Sequence, residues 1–167
     1  MNLRTHLKGP RAAWIRVTCG AAILMAASAP GLAQAADLKL RAVLIGGGVV
    51  SATESPATGE ALAVLEEDND LRLDLVYTGL VTGSIGAALH VGRDNENGLK
   101  VADIDIDVGS TEGRVSIEEL RLDVDDAERV RAGESYVVIS TIEYPDGAIR
   151  GQLVPQPLRV FDLPVEN

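Results

Sequence analysis

The segment LRAVLIGGGVVSATESPATGEA, residues 40–61, decides the fold class of this chain. An aliphatic run enters three glycines, as in a dinucleotide-binding unit, whose fingerprint is G-x-G-x-x-G at the start of a helix. Gly46 and Gly48 fit the first two positions, but Ser51 occupies the third. The residues that follow contain Pro56 and no apolar helical period, so we expect no helix N-terminus that could receive a pyrophosphate. The glycines are therefore expected to end or bulge a β-strand.

Most of the remaining chain alternates apolar and polar residues with a period of two, which indicates β-strands separated by turns. The clearest examples are DLKLRAVLI (37–45), EALAVLEE (60–67), LRLDLVYTG (71–79), LKVADIDIDVG (99–109), SYVVISTIE (135–143) and AIRGQLV (148–154). Pro145, Asp146 and Gly147 predict a turn between the last two. The pattern predicts an all-β fold, an immunoglobulin-like or Greek-key β-sandwich of roughly seven to nine strands with an aliphatic core.

One segment has helical character. In DVDDAERVRAG, residues 123–133, Asp125 is the expected N-cap, with Glu128 three residues later and Gly133 as the stop signal. The segment is long enough for one or two turns. We therefore predict one short connector helix between two strands.

The first 35 residues have the pattern of a signal peptide. Four basic residues and no acidic residue precede a short apolar core at residues 17–28. The small residues of Ala33-Gln34-Ala35 then offer a cleavage site. The core is shorter than the roughly 20 residues that span a bilayer. We predict a cleaved signal peptide over residues 1–35, a domain over 36–154 and a proline-containing tail over 155–167. The mature chain is predicted to be periplasmic or extracellular and to contain no transmembrane segment.

Cleavage would remove the only cysteine and four of the 15 basic residues, while all 25 acidic residues would remain. The mature chain would thus have a net charge of −14 and no disulfide. Such a charge disfavours nucleic acids and anionic membrane surfaces as partners. The expected partner is an unknown protein or surface ligand, and no motif indicates a cofactor.

Two features are weak candidates for catalysis. TGSIG, residues 82–86, lacks the first glycine of a nucleophile elbow, and a strand rather than a helix is expected to follow. His90 is the only histidine of the predicted mature chain, whereas zinc or copper sites usually need two or more His or Cys ligands. We expect His90 to be partly buried and hydrogen-bonded. A hydrolase or metalloenzyme centred on it remains an alternative.

Acidic residues suggest a second alternative, a calcium-dependent adhesion or matrix module. Asp103, Asp105 and Asp107 alternate with aliphatic residues, and a nearby loop carries Asp94 and Glu96. Carboxylate oxygens are ligands that calcium prefers, but the segment departs from an EF-hand loop at the sixth and twelfth positions. A hydrated acidic strand face explains the same pattern.

The C-terminal half carries an ordered set of motifs. A glycine, then YVV, a Pro-Asp-Gly turn and IRGQL follow one another within residues 120–153, and Pro56, Gly59 and Ala61 match the stretch after the first strand. Together they resemble the CHRD (chordin-type) domain family. The positions that match the family's motifs include His90, Gly147, Arg150, Gly151 and Gln152.

The resemblance implies a β-sandwich in an exported protein of unknown specific role. We predict that the domain has no catalytic machinery. The family often has His-x-His where this chain has Ala88-Leu89-His90, and a further histidine where it has Ser140. We expect the Arg150 guanidinium to form a bidentate pair with a strand carboxylate. The predicted function is a non-catalytic binding or structural module of the cell envelope or the extracellular space.

Overall fold

The computed structural model describes residues 37–156. The predicted signal peptide and residues 157–167 of the predicted tail lie outside the described residues. The strands are β1 (Leu38–Ile45), β2 (Thr58–Leu65), β3 (Asp70–Thr78), β4 (Ser84–Val91), β5 (Leu99–Ile104), β6 (Gly113–Arg121), β7 (Ser135–Thr141), β8 (Ile149–Gln152) and β9 (Val154–Pro155), with one α-helix, α1 (Val124–Arg131). Among these residues, no helix has the length and apolar character needed to cross a membrane.

All strand pairs are antiparallel and belong to one sheet. Its order is β5-β4-β7-β8-β1-β2-β3-β6, and β9 pairs with β1. The sheet is curved so strongly that it nearly closes into a barrel. Within residues 37–156, the predicted all-β class, strand number and single helix are confirmed, whereas the immunoglobulin-like or Greek-key arrangement remains a prediction.

The core lies on the concave side of this sheet because the period-two pattern places every second side chain there. In β1, Leu40, Ala42 and Leu44 are buried while their neighbours are exposed, and the same alternation runs through β3 from Leu71 to Tyr77. Burial of one leucine side chain contributes about 2 kcal/mol to folding. The aliphatic core predicted from the sequence is therefore confirmed.

The glycine run ends β1, as expected. Gly46–Gly48 forms a single 3₁₀ turn, and Val49 after it is extended, so no α-helix follows. Thr53 ties this turn down, because its N–H donates to the Gly46 carbonyl at 3.1 Å and its hydroxyl donates to the Ala148 carbonyl at 2.7 Å. A Cβ at Gly48 would overlap the backbone of β8. The glycines thus permit close packing of a turn against a strand.

The helix begins two residues earlier than predicted. The N-cap is Asp123, whose carboxylate accepts a hydrogen bond from the Asp126 N–H at 2.7 Å, so the prediction of Asp125 as the N-cap is wrong. The reason is the phase of the buried side chains Ala127 and Val130, which face the core. The end is as predicted, because Gly133 follows with a left-handed φ of +75°.

Two strands differ from the sequence pattern. The sequence pattern does not predict β6, because this strand has one additional residue opposite Leu71–Leu73. The bulge interrupts the alternation and leaves both Glu118 and Glu119 exposed. β5 ends at Ile104, so the expected strand over residues 99–109 is shorter than predicted.

The sheet also extends into the predicted tail. Pro155 belongs to β9, and the Gln156 N–H donates to the Lys39 carbonyl at 2.8 Å. The predicted boundary between residues 154 and 155 therefore falls inside a strand. A proline is tolerated there because β9 pairs with β1 along one side only.

Candidate functional site

A groove lies on the convex side of the sheet, over β4 and β7. In the strand register, Ala88 faces Val138 across one row, and His90 faces Tyr136 across the next. The groove forms because its floor contains Gly86, Ala88 and Ser140, whose side chains are absent or small. Its volume is about 460 Å³. We call this feature the outer-face groove.

Arg150 borders the groove and is only 2% exposed. Its guanidinium donates to the carbonyl of Glu96 at 2.9 Å and to the carbonyl of Arg93 at 2.8 Å. The guanidinium carbon also lies 3.5 Å from the centroid of the Tyr136 ring, a cation–π contact. A buried cation is therefore stabilised by two carbonyl dipoles and an aromatic face.

Two more side chains hold the same loop, residues 92–98. Gln152 donates through Nε2 to the carbonyl of Gly92 at 3.0 Å and to that of Gly133 at 2.9 Å. The Tyr136 hydroxyl accepts a hydrogen bond from the Gly98 N–H at 3.0 Å. Arg150, Gln152 and Tyr136 form what we call the loop clamp. They give partners to loop backbone groups that no strand pairing satisfies.

The expected partner of Arg150 differs from the observed one. Within residues 37–156, its guanidinium bonds to backbone carbonyls and forms no ion pair with a carboxylate. The physical reason is the tight course of the loop, which turns two carbonyls toward β8, where a planar group with five N–H donors can serve both. The guanidinium therefore holds loop 92–98 and not the strand carboxylate that was expected.

The two motif glycines meet packing limits. Gly147 adopts a φ of +135° in the turn before β8, and a Cβ there would lie 2.7 Å from Val138 Cγ2. A Cβ at Gly151 would lie 2.6 Å from the carbonyl oxygen of Val43 on β1. Each position therefore excludes larger residues for reasons of packing.

His90 is half-buried in the groove wall. Its Nδ1 lies 3.2 Å from the Gly98 carbonyl oxygen, and its ring stacks on Tyr136 with centroids 5.0 Å apart and planes inclined by 20°. Because a carbonyl oxygen can only accept, Nδ1 is the donor in this hydrogen bond. These contacts match the expected hydrogen-bonded histidine. Within the described part of the chain, the His90 side chain forms its hydrogen bond with this backbone carbonyl and not with a carboxylate or a hydroxyl.

The acidic calcium candidates lie at two places on the surface. All five are exposed: Asp94 and Glu96 on loop 92–98, Asp103 on β5, and Asp105 and Asp107 after that strand. Asp103 accepts from Lys100 at 2.8 Å. Within residues 37–156, no three side chains of His, Cys, Asp or Glu come together as metal ligands do. Whether calcium binds at either place stays a prediction.

The candidate serine of TGSIG has a structural position. Ser84 begins β4, is fully buried, and donates through its hydroxyl to the Asp107 carbonyl at 2.8 Å. No helix follows it, so this segment lacks the strand-to-helix turn that exposes a nucleophile.

The structure brings together residues that sequence reasoning treated separately. Ala88, His90 and Ser140, the three positions where the resemblance leads one to expect histidine, all line the outer-face groove. Tyr136, which contacts both His90 and Arg150, was missed as a site residue. The sequence alternation could have identified it. In β7, Val137 and Ile139 point into the core, so the alternating position places the aromatic side chain of Tyr136 on the outer face of the sheet.

Comparison with known proteins gives one finding about the family. The family model described as CHRD domain matches residues 40–153, more than half of the chain and nearly all of the described fold. Neither a curated protein nor a solved structure matches the chain. The matched range includes β2 to β8, the loop clamp and the groove. On this match, the chain belongs to the CHRD domain family.

Proposed function

We propose that this CHRD domain is an exported, non-catalytic binding module that receives an extended segment of a partner protein in the outer-face groove. The observation that carries the proposal is that the polar side chains of the family motif bind backbone groups of the domain itself. Arg150 and Gln152 donate to backbone carbonyls of loop 92–98 and of Gly133, which lies between α1 and β7, and these contacts make them parts of a scaffold. A scaffold that fixes one wall of a groove favours recognition over chemistry.

The lining of the groove supports recognition of a peptide. The floor is apolar at Ala88 and Val138, while Lys100, Asp103 and Asp146 place both signs of charge along the walls. Binding sites commonly combine an apolar floor with a few polar groups that fix orientation. A trough two strands wide, about 10 Å, accommodates one extended chain.

Location and chain arrangement are parts of the same proposal. The signal-like residues 1–35 support export to the periplasm or beyond, where the acidic mature domain would act without a disulfide. The sheet halves that carry the groove and the core strands would form the two layers of an immunoglobulin-like sandwich. Sequencing of the exported protein from its N-terminus tests the first part, with Ala36 as the expected first residue.

Site-specific photocrosslinking tests the binding role. A benzophenone side chain at Ala88 would place the reactive group on the groove floor, and one at the exposed Glu119 of β6 is the matched control. We expect a discrete adduct from Ala88 in the native exported fraction and none of the same mass from Glu119. Identical adducts from both positions, or none from Ala88, would contradict the proposal.

Calcium dependence and catalysis are distinguished by separate measurements. Calcium bound by the native state would raise the melting temperature relative to a chelator, whereas the proposal expects equal melting temperatures in millimolar calcium and in chelator. The catalytic alternative predicts that the protein turns over a substrate and that His90→Gln abolishes this turnover while the fold stays intact. That result would contradict the non-catalytic binding role.

A further inference from the structure

Four loops at one end of the sheet carry acidic side chains and no basic one. They are residues 46–57, 79–83, 105–112 and 142–148, and they lie at the same end because all strand pairs are antiparallel. None of their carboxylates forms an ion pair with another described residue. We call this surface the acidic end. Its charged side chains are six exposed carboxylates: Glu54, Asp105, Asp107, Glu112, Glu143 and Asp146.

Few basic side chains lie near the acidic end. Two arginines come closest in the sequence, Arg114 and Arg150, each two residues after one of these loops. Arg114 lies on the outer face of β6, opposite Val76 of β3. Arg150 is buried and donates to carbonyls of loop 92–98 at the opposite end of the sheet. The acidic end therefore has a negative potential that attracts a cationic partner.

Three of the four loops each expose one large aliphatic side chain. Val81 is 69% exposed, Val108 74% and Ile142 79%. Exposed apolar side chains within a rim of charge are typical of surfaces that bind a partner. The acidic end thus combines apolar contact area with a single sign of charge.

Hydrogen bonds hold these loops against one another. The Leu80 N–H donates to the Thr111 carbonyl at 3.1 Å, and the Ser84 N–H donates to the Ser110 carbonyl at 2.9 Å. The pairing of β4 with β7 places loop 142–148 beside them. A preformed surface loses little conformational freedom when it binds a partner.

A small notch lies between the loops. Val81, Thr82, Glu143 and Tyr144 contribute to its lining, and its volume of about 10 Å³ has space for one water-sized group. The Thr82 hydroxyl is buried and has no hydrogen-bond partner within the described residues. Burial, together with the carboxylates of Glu143 and Glu54, raises the pKa of the Tyr144 phenol. The notch therefore combines an unpaired hydroxyl with a negative potential.

A lysine ammonium group matches the chemistry of this notch. It is a compact cation with three N–H donors, so it can serve a hydroxyl and a carboxylate at once. The planar guanidinium of arginine is too large for a space that holds one water-sized group. The aliphatic stem of a lysine can also pack on apolar surface while its charged head is bound.

We propose that the acidic end binds a segment of another protein that presents a lysine beside aliphatic side chains. The ammonium group enters the notch and donates to the Thr82 hydroxyl and the Glu143 carboxylate. The aliphatic neighbours of the lysine pack on Val81, Val108 and Ile142. This inference goes beyond the proposed function and does not depend on the groove.

The charges favour another protein over a second copy or a membrane. The outer face of β1–β3 mixes Arg41 and Arg72 with Glu60, Glu66 and Asp74, so a second copy offers no cationic face there. Anionic lipid headgroups attract basic surfaces, and an acidic one is repelled. A cationic protein segment is the occupant whose charge complements the acidic end.

Nuclear magnetic resonance titration of the isotopically labelled mature chain tests the proposal. The probe is a synthetic peptide of alternating lysine and valine, and two matched peptides replace every lysine by arginine or every valine by serine. We expect the first peptide to shift amide signals of loops 79–83 and 105–112, which do not line the groove. Its dissociation constant should be at least about tenfold lower than those of the two matched peptides. Shifts confined to groove residues, no shifts, or equal affinity for all three peptides would overturn the proposal.

Substitutions of Thr82 test the notch itself. Thr82→Val keeps the shape of the side chain but removes the hydroxyl, so we expect affinity for the lysine–valine peptide to fall by at least about fivefold. The melting temperature should not fall, because the lost hydroxyl has no partner in the free domain. Thr82→Ser retains the hydroxyl and should bind to within about twofold of the wild type. Wild-type affinity in Thr82→Val would refute the assignment of the lysine to the notch.

Paired substitutions test the carboxylates. Glu112→Gln combined with Glu143→Gln should weaken binding of the lysine–valine peptide by at least about threefold. Glu118→Gln combined with Glu119→Gln removes the same charge from exposed positions of β6 and should leave affinity within about twofold of the wild type. Equal effects of the two pairs would reduce the attraction to net charge and contradict a specific site.

The aliphatic side chains have a matched control of their own. Val108→Ser combined with Ile142→Ser should weaken binding, whereas Leu99→Ser combined with Val124→Ser changes side chains of 75% and 61% exposure outside the acidic end and should not. Circular dichroism checks that every variant is folded. Phosphatidylcholine vesicles are the second probe. Binding to these vesicles without binding to the lysine–valine peptide would overturn the proposal in favour of a membrane surface.

Discussion

Replacement of Arg150 by methionine gives the most informative test of the loop clamp. Methionine keeps the aliphatic length but removes the donors that serve the carbonyls of Arg93 and Glu96. A hydrogen bond from a charged donor contributes about 1.5–3 kcal/mol, and a buried cation–π contact about 2 kcal/mol. Packing of the new thioether recovers part of this loss. We expect the free energy of unfolding to fall by about 3–5 kcal/mol, a large share of the typical 5–15 kcal/mol.

Two further variants calibrate this loss. Arg150→Lys keeps the charge, but one ammonium group lacks the planar fork that reaches two carbonyls and stacks on Tyr136, so we expect about 2–4 kcal/mol. Arg93→Lys is the control in the same loop. Its side chain forms an exposed ion pair with Glu134, and its carbonyl remains available, so the change should stay within about 0.5 kcal/mol.

The assay combines urea denaturation with amide hydrogen exchange. In the Arg150 variants, amides of loop 92–98 should lose protection more than the amides of β2 and β3, because the clamp acts on the loop first. An unfolding free energy of Arg150→Met within about 1 kcal/mol of the wild type would refute the reasoning. Unchanged exchange in the loop would refute it as well.

Three other predictions concern packing, a single hydrogen bond and pH. The Cβ of Gly48→Ala would overlap the backbone of β8, so we expect urea denaturation to show a loss of about 2–4 kcal/mol in the free energy of unfolding. The Cβ of Gly86→Ala would meet nothing within 4 Å, so this control should change the free energy of unfolding by less than about 1 kcal/mol. Equal losses in the two variants would contradict the packing argument. Tyr136→Phe leaves the Gly98 N–H without its acceptor and should lower the calorimetric Tm by the equivalent of about 1–2 kcal/mol, so an unchanged Tm would contradict that bond. Partial burial, together with the neighbouring Asp123 and Asp125, raises the pKa of Asp126. Above the folded-state pKa, the ionised carboxylate therefore lowers the stability of the fold. This penalty disappears as the pH falls to the unfolded-state pKa. Asp126→Asn should therefore raise the Tm at neutral pH and lose that advantage in acid; an advantage that grows in acid would contradict the shift.

Local features of the fold could be predicted from the sequence because they depend on neighbours in the chain. In β3, strict alternation from Leu71 to Tyr77 identified both the strand and its buried face. The glycine run at Gly46–Gly48 was correctly assigned to a strand end, since the proline after it excluded a helix. Period and turn chemistry are sufficient for such elements.

Features that depend on contacts between distant residues could not be predicted. The bulge that leaves Glu118 and Glu119 exposed is defined by the pairing of β6 with β3. It interrupts the apolar–polar alternation of β6, so the sequence period of this strand does not identify it. The partners of Arg150 lie 54 and 57 residues away in the sequence and are backbone carbonyls, which leave no trace in side-chain chemistry. The groove likewise required knowledge that β4 and β7 are neighbours.

The most direct test of the loop clamp is nuclear magnetic resonance of the Arg150 guanidinium in isotopically labelled protein. The structure requires its Nη hydrogens to be bonded to the carbonyls of Arg93 and Glu96. The account predicts separate, slowly exchanging Nη–H signals with scalar couplings across the hydrogen bonds to those two carbonyl carbons. A single averaged Nη–H signal in rapid exchange with water, with neither coupling present, would contradict it.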